Sequence, residues 1–307
     1  FHFSQRSVAS KGFTEAVTWS FTDSKIDNLF SELKTEIKLS NPISSDLDVL
    51  RSSLYSNLMI GAKKNIHRNF EDLMLFEVGP VFKGSKPGEQ STMISAIKTG
   101  KYSRKNWIEK ERNFDIFDIK NDVLRTLNEI GLDNLKIVVS NRTKKWYHPG
   151  RSGLLSLGST NGPELAYFGE IHPSIIKRLD LRTDNVLGFE IFLDNIPEPR
   201  KKIREAKPQF VVSDYQKVVR DFAFVIDEKY SSGEIITLVK KIDKQLIKAV
   251  KIFDVYQGDN IDTGKKSIAF SVTLEPKDKT LSDKDIDQIS KKIISSVQKS
   301  TGATLRS

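Results

Sequence analysis

A chain of 307 residues is long enough for two cores of ordinary size. Its composition, 38% hydrophobic and 29% charged, is that of a soluble globular protein, and no run approaches the roughly 20 apolar residues of a membrane span. With no cysteine there can be no disulfide, thiolate nucleophile or Cys-based zinc site, and four scattered histidines leave little for a histidine-only one.

The net charge of +9 points to an anionic partner or simply to a lysine-rich proteome. Residues 198–210 hold five cations and two anions, which is +3 of that +9. The chain opens on Phe1 with no charged-then-apolar leader and no lipidation motif. A piece of a longer polypeptide is expected, in the cytoplasm and without a membrane partner.

In chain order, Gly12–Phe21 reads as a helix end running into a strand. Asn41-Pro42-Ile43-Ser44 is a turn, with Ser44 or Ser45 as cap of a long helix through Leu47, Leu50, Leu54, Leu58 and Ile66. Leu73–Phe82 is a buried strand containing Glu77, whose carboxylate needs a backbone or Arg partner unless it lines a cleft. Ser91–Lys98 is a further strand, and Phe114–Glu129 has a helical stripe through Ile116, Ile119, Val123, Leu124 and Leu127. Strands at Lys136–Val139, Gly153–Leu157, Leu165–Ile171 and Val186–Leu193 complete a mostly antiparallel sheet flanked by helices.

His148, His172, Glu170 and Ser152 are the tempting chemical residues of this half. No HExxH, GxSxG or GxxxxGK[ST] spacing is present, and Pro149 and Pro173 directly after the two histidines favour turns. An enzyme built on these groups needs its two imidazoles in one cleft. A structural role, with each histidine capping or bonding to backbone, is the expectation.

Residues 198–212 form a basic, proline-containing linker, in which Arg200, Lys201, Lys202 and Arg204 are candidates for phosphate contact. Beyond it the pattern is strand, helix, strand, strand, helix, strand. Val218–Asp227 alternates; Ser231 or Ser232 caps a helix with Ile235, Ile236, Val239, Ile242 and Leu246 at helical spacing. Ala249–Gln257 and Lys266–Glu275 are strands joined through the glycines of Gly258 to Gly264. Ser282, with Asp285 three residues on, caps a second helix that Gly302 ends.

Both helices have one apolar stripe to bury, so they cover one face of the sheet. Alternation puts Phe222, Phe224, Phe253, Val255, Ile268, Phe270 and Val272 on that face. Asp221, Asp254, Tyr256, Ser267, Ala269, Ser271 and Thr273 are left on the open one. A ring on an open sheet with hydroxyls beside it suits unpaired bases, which stack on aromatics and bond through their edges. The plain alternative is that Tyr256 merely ends its strand against the loop.

Arg220-Asp221, Phe253-Asp254-Val255-Tyr256-Gln257-Gly258, Lys266-Ser267-Ile268-Ala269-Phe270, Thr280-Leu281 and the closing Leu305-Arg306 resemble the ferredoxin-fold anticodon-binding domain of phenylalanyl-tRNA synthetases. The resemblance implies that Tyr256 and Ser267 meet the anticodon, with Asp254, Ala269 and Ser271 around them. Arg51-Ser52-Ser53-Leu54, Phe76-Glu77-Val78-Gly79, His148-Pro149-Gly150-Arg151, Gly169-Glu170-Ile171-His172-Pro173 and Phe189-Glu190-Ile191 resemble the catalytic-like module of the bacterial beta chain of that family. That module is similar in fold to a class II synthetase core without performing its reaction. No GxGxGxxxR nucleotide stretch is present here, and the Gly188-Phe189-Glu190-Ile191 strand stands near where one is expected.

The resemblance implies an α+β chain: a class II-like module over 1–197, the linker over 198–212 and a ferredoxin-like domain over 213–307. It implies a partner alpha subunit in a heterotetramer of two alpha and two beta chains, which charges tRNA(Phe). The whole enzyme uses ATP and magnesium, and this chain binds no cofactor or metal and carries no catalytic residue. A free-standing RNA-binding or scaffold protein is the alternative.

Overall fold

Apolar runs such as Leu73–Phe82 become strands because both of their faces meet a core, a condition that suppresses polar alternation. The computed structural model describes residues 1–132, 136–197 and 213–306, and the chain divides into two units. Among the described residues no helix is long and apolar enough to cross a membrane.

The first unit contains, in order, α1 (His2–Ala9), β1 (Thr14–Glu15), β2 (Phe21–Thr22), α2 (Ser24–Asp27), β3 (Val49–Leu50), α3 (Tyr55–Ile66), β4 (Leu73–Phe82) and β5 (Gln90–Thr99). There follow β6 (Lys101–Ser103), β7 (Arg112–Asn113), α4 (Ile116–Glu129), β8 (Ile137–Ser140), β9 (Tyr147–Leu157), β10 (Glu164–Ile171), α5 (Pro173–Arg178) and β11 (Leu187–Phe192). A seven-stranded sheet runs β1-β4-β5-β11-β10-β9-β8 and is antiparallel except for β1 against β4. One core holds α3 residues Leu58, Met59 and Ala62 with Tyr147 and Leu154; the other holds α4 residues Ile119, Val123 and Leu127 with Phe76 and Phe189. The start of α4 at Ile116 follows from Asp115, whose carboxylate accepts the N–H groups of Phe117 and Asp118 in a capping box.

The long helix expected from Ser44 or Ser45 does not form: Val49–Leu50 pairs with Phe21–Thr22, and the helix begins at Tyr55. Long-range bonds override the helical spacing of Leu47, Leu50 and Leu54. The Arg51 N–H donates to the Ser20 carbonyl, the Arg51 carbonyl accepts from Phe82, and Ser52 donates to Asp27 through backbone and hydroxyl. Gly12–Phe21 likewise gives two short strands rather than one.

Two polar clusters lie inside this unit. Glu77, 4% exposed, receives Arg51 Nη1 at 2.7 Å, the Thr18 hydroxyl at 2.6 Å and the Thr18 backbone N–H at 3.4 Å, so both expected kinds of partner, arginine and backbone, are found. Arg51 also donates to the Pro80 carbonyl at 3.0 Å, and a Cβ on Gly79 would come within 2.7 Å of its Nη2. Glycine is thus what lets the guanidinium lie across β4. The second cluster centres on Glu190 of β11, which accepts from Ser53 Oγ at 3.0 Å, Trp146 Nε1 at 3.0 Å and Tyr147 Oη at 3.3 Å. Burial pushes its carboxyl up to about 7 despite those three donors. Tyr147 in turn bonds Tyr55 Oη at 2.7 Å, and burial raises both phenols well above their usual range.

The second unit contains β12 (Val218–Asp227), α6 (Ser232–Ile242), β13 (Ile247–Tyr256), β14 (Lys265–Leu274), α7 (Asp283–Thr301) and β15 (Thr304–Leu305). Its sheet order β13-β14-β12-β15, antiparallel throughout, is that of a ferredoxin-like βαββαβ fold. Ser231 with Glu234 and Ser282 with Asp285 form capping boxes, and Gly302 ends α7 in the left-handed region at φ 68°. The expected α+β class is therefore observed in both halves.

Phe253 and Val255 do not join the core as alternation expects; they are 56% and 50% exposed. The pairing slips between Ile252, opposite Phe270, and Asp254, opposite Ala269, so Phe253 is an extra residue at a β-bulge. Val255 remains opposite Ile268, on the covered side, but at the poorly covered end of the strand. Without the bulge, Val250 and Ile252 inside would dictate Asp254 and Tyr256 inside too. The bulge re-phases the strand and brings both to the open face.

Candidate nucleic-acid interface

Three rows cross the open face of the second unit: Tyr256, Ser267 and Val225; Asp254, Ala269 and Ala223; Lys251, Ser271 and Asp221. Register thus gathers all five expected site residues, Tyr256, Ser267, Asp254, Ala269 and Ser271, on one side of two neighbouring strands. Their availability differs. Tyr256 is 38% exposed and Asp254 is exposed, whereas Ala269 is buried as a flat floor and Ser271 donates its hydroxyl to Asp221 Oδ1 at 2.6 Å.

Ser267 faces the open side but is only 3% exposed. Arg306 lies over it, its Nη1 3.4 Å from Ser267 Oγ, while the Arg306 N–H donates to the Ala223 carbonyl at 2.8 Å. The exposed polar group at this position is therefore the Arg306 guanidinium, with the serine beneath it. Arginine is well suited to stack on a base or to fork onto a phosphate.

The Tyr256 ring leans on Gly258, where an added Cβ would come within 2.4 Å of its hydroxyl. Because the obstacle is the far end of a side chain and not backbone, Gly258→Ala should displace the ring at little cost in stability. The expected result is a shift of the Tyr256 aromatic NMR resonances with the unit's unfolding free energy in urea unchanged within about 0.5 kcal/mol. The open face carries both signs of charge, Lys251 and Arg306 against Asp221 and Asp254.

Arg306, Gly258 and Phe253 are the contributors that sequence reasoning missed. A glycine two residues after an exposed tyrosine was the available signal for Gly258; Arg306 stood in the sequence only as part of the closing Leu305-Arg306, with no sign of its partner 39 positions away. The linker cations Arg200, Lys201, Lys202 and Arg204 lie outside the described residues.

In the first unit, His148 and His172 do come together, with ring centroids 6.4 Å apart and planes at 26°. Their Nδ1 atoms are spent locally: His148 accepts the Gly150 N–H at 3.1 Å, and His172 caps α5 by accepting the Ser174 N–H at 3.2 Å. Glu170 is bound by Arg151 at 2.5 and 2.8 Å, and Ser152 Oγ bonds the His148 carbonyl at 2.6 Å and not an imidazole. Among the described residues no group of three or more His, Asp or Glu side chains is disposed to hold a metal.

Two family descriptions match the chain. The phenylalanyl-tRNA synthetase beta chain CLM domain matches residues 2–193, and the ferredoxin-fold anticodon binding domain matches residues 213–306. The phenylalanine–tRNA ligase beta subunit of Rhodospirillum rubrum is 43% identical over 99% of this chain and 37% of its own length. That of Paramagnetospirillum magneticum is 42% identical over 98% of this chain and 37% of its own length. A pyrrolysyl-tRNA synthetase of Desulfitobacterium hafniense shows a weak likeness, with TM-score 0.47 and 14% identity over 63% of this chain and 64% of that one. The chain spans 37% of the length of those two beta subunits, and its matches account for both of its units in order. It belongs to the phenylalanyl-tRNA synthetase beta chain family.

Proposed function

We propose that this chain supplies the scaffold and anticodon-binding part of a phenylalanine–tRNA ligase in the cytoplasm. Residues 1–197 dock the catalytic alpha subunit in an assembly of two alpha and two beta chains, residues 198–212 link, and residues 213–307 bind the anticodon region of tRNA(Phe). The observation that carries the reading is the anticodon-binding match over residues 213–306, the unit whose open face presents Tyr256. Exposed apolar side chains on the first unit, among them Trp107, Val17, Phe117 and Trp19, support a protein partner there. ATP and magnesium belong with the alpha subunit in this reading, and no step involves this chain's own residues chemically. Tyr256 stacks on an anticodon base, Arg306 and Ser267 bond beside it, and the linker cations Arg200, Lys201, Lys202 and Arg204 meet phosphates.

Filter binding of tRNA(Phe) to the intact alpha–beta complex tests the interface. One lost stacking platform is worth about 1–3 kcal/mol, so Tyr256→Ala should weaken binding roughly 5- to 150-fold. Unchanged affinity together with unchanged aminoacylation would sink the assignment. Co-elution of the chain with the alpha subunit tests the docking separately.

A further inference from the structure

Within the first unit a buried carboxylate borders a cavity. Glu190 stands at the wall of a cavity of about 250 Å³ in the first unit, lined also by Phe30, Leu33, Met93, Trp146 and Phe192. The carboxylate is 2% exposed, and all three of its hydrogen-bond donors, Ser53, Trp146 and Tyr147, are neutral. Among the described residues no cation lies within ion-pair distance of it. Lys144, which also lines the cavity, is committed to Glu32 at 2.5 Å. Once ionised, a carboxylate among neutral donors still carries its charge, and a ligand cation placed on it would supply the counter-charge.

Among the unit's buried carboxylates Glu77 has a guanidinium built in, whereas Asp27, like Glu190, is held by neutral donors, Ser52 and Ser56. At Glu190 the space next to the carboxylate is left open and walled with aromatic rings. Oε1 accepts from Ser53 alone, so it has a lone pair to spare for a further donor. The rings of Phe30, Trp146 and Phe192 suit a flat apolar body, and Trp146 can also face a cation with its π-surface.

We propose that this cavity binds a small arylalkylammonium ligand, its ammonium group on Glu190 and its ring against Phe30, Trp146 and Phe192. The test reads ligand binding by this chain alone, so its failure would leave the function proposed above untouched.

Calorimetric titration of the full chain with 2-phenylethylamine, above the pH at which Glu190 ionises, tests it. The expected result is saturable binding at one site per chain. The neutral isostere 2-phenylethanol should bind at least about tenfold more weakly, because hydrogen bonds to charged groups contribute about 1.5–3 kcal/mol. In Glu190→Gln the two ligands should bind alike. Absence of saturable heat with the amine, or equal affinity of amine and alcohol for the unaltered protein, overturns the proposal, and this comparison needs no variant to fold. Equal preference for the amine in a folded Glu190→Gln protein overturns it as well.

Discussion

Arg51→Ala is expected to destabilise the first unit by about 3–5 kcal/mol, the cost of leaving a buried carboxylate without its cation. Glu77 is 4% exposed and receives from this arginine its one charged partner among the described residues, while the guanidinium also bonds Thr18 and the Pro80 and Trp19 carbonyls. A loss of that size is a large share of the roughly 5–15 kcal/mol that holds a domain folded. Urea unfolding followed by tryptophan fluorescence measures it cleanly, because Trp19, Trp107 and Trp146 all lie in the first unit. The paired change Arg51→Met with Glu77→Leu should recover much of the loss, since it removes the stranded charge as well as its partner. A single-variant effect below about 1 kcal/mol, the range of an ordinary surface ion pair, would contradict the burial argument.

The second large effect is a pH dependence centred on Glu190. Its folded-state carboxyl, pushed up to about 7 by burial, lies above the ordinary value of 4.5 that applies when the chain is unfolded. Between those values the folded protein holds a proton that the unfolded chain has released, so stability falls as pH rises through that window. Below 4.5 both states are protonated and no cost exists; above about 7 the full cost, roughly 3 kcal/mol, is present. The groups facing this carboxyl are Ser53, Trp146 and Tyr147, whose phenol stays neutral throughout the window, with Lys144 and Glu32 paired nearby. Glu190→Gln should therefore gain stability relative to the unaltered chain between about pH 5 and 8. Thermal unfolding of the two proteins across that range decides the matter: parallel curves would show that Glu190 does not titrate there.

Features whose causes are local were legible in the sequence. Ser282 with Asp285 and Gly302 carry their capping chemistry within three residues or one backbone angle, Ser231 was one of two adjacent candidates for its cap, and the helical stripes of α6 and α7 needed no distant partner. Reading failed where a remote contact decided the outcome. Leu47, Leu50 and Leu54 have helical spacing, yet Ser20, Asp27 and Phe82 hold the neighbourhood of Arg51 extended. Glu77 announced its need for a partner without revealing that Arg51, 26 positions earlier, would meet it. The open face was legible to the level of Tyr256 and Ser267, but the arginine lying over that serine was not, since β15 reaches it only through the sheet. Phe253 was misplaced because strict alternation has no means of registering an inserted residue.

That inserted residue also separates two jobs within β13. Before it, Ile247, Val250 and Ile252 answer to the core beneath α6 and α7; after it, Asp254 and Tyr256 answer to whatever lies above the sheet. Substitutions in the first stretch can change how firmly the unit holds without altering what it displays, and those in the second can alter the display without loosening the hold. What cannot change freely is the length of the strand. Removing Phe253 would turn Tyr256 toward the helices, so a single-codon deletion would be more damaging here than most replacements of the tyrosine's neighbours.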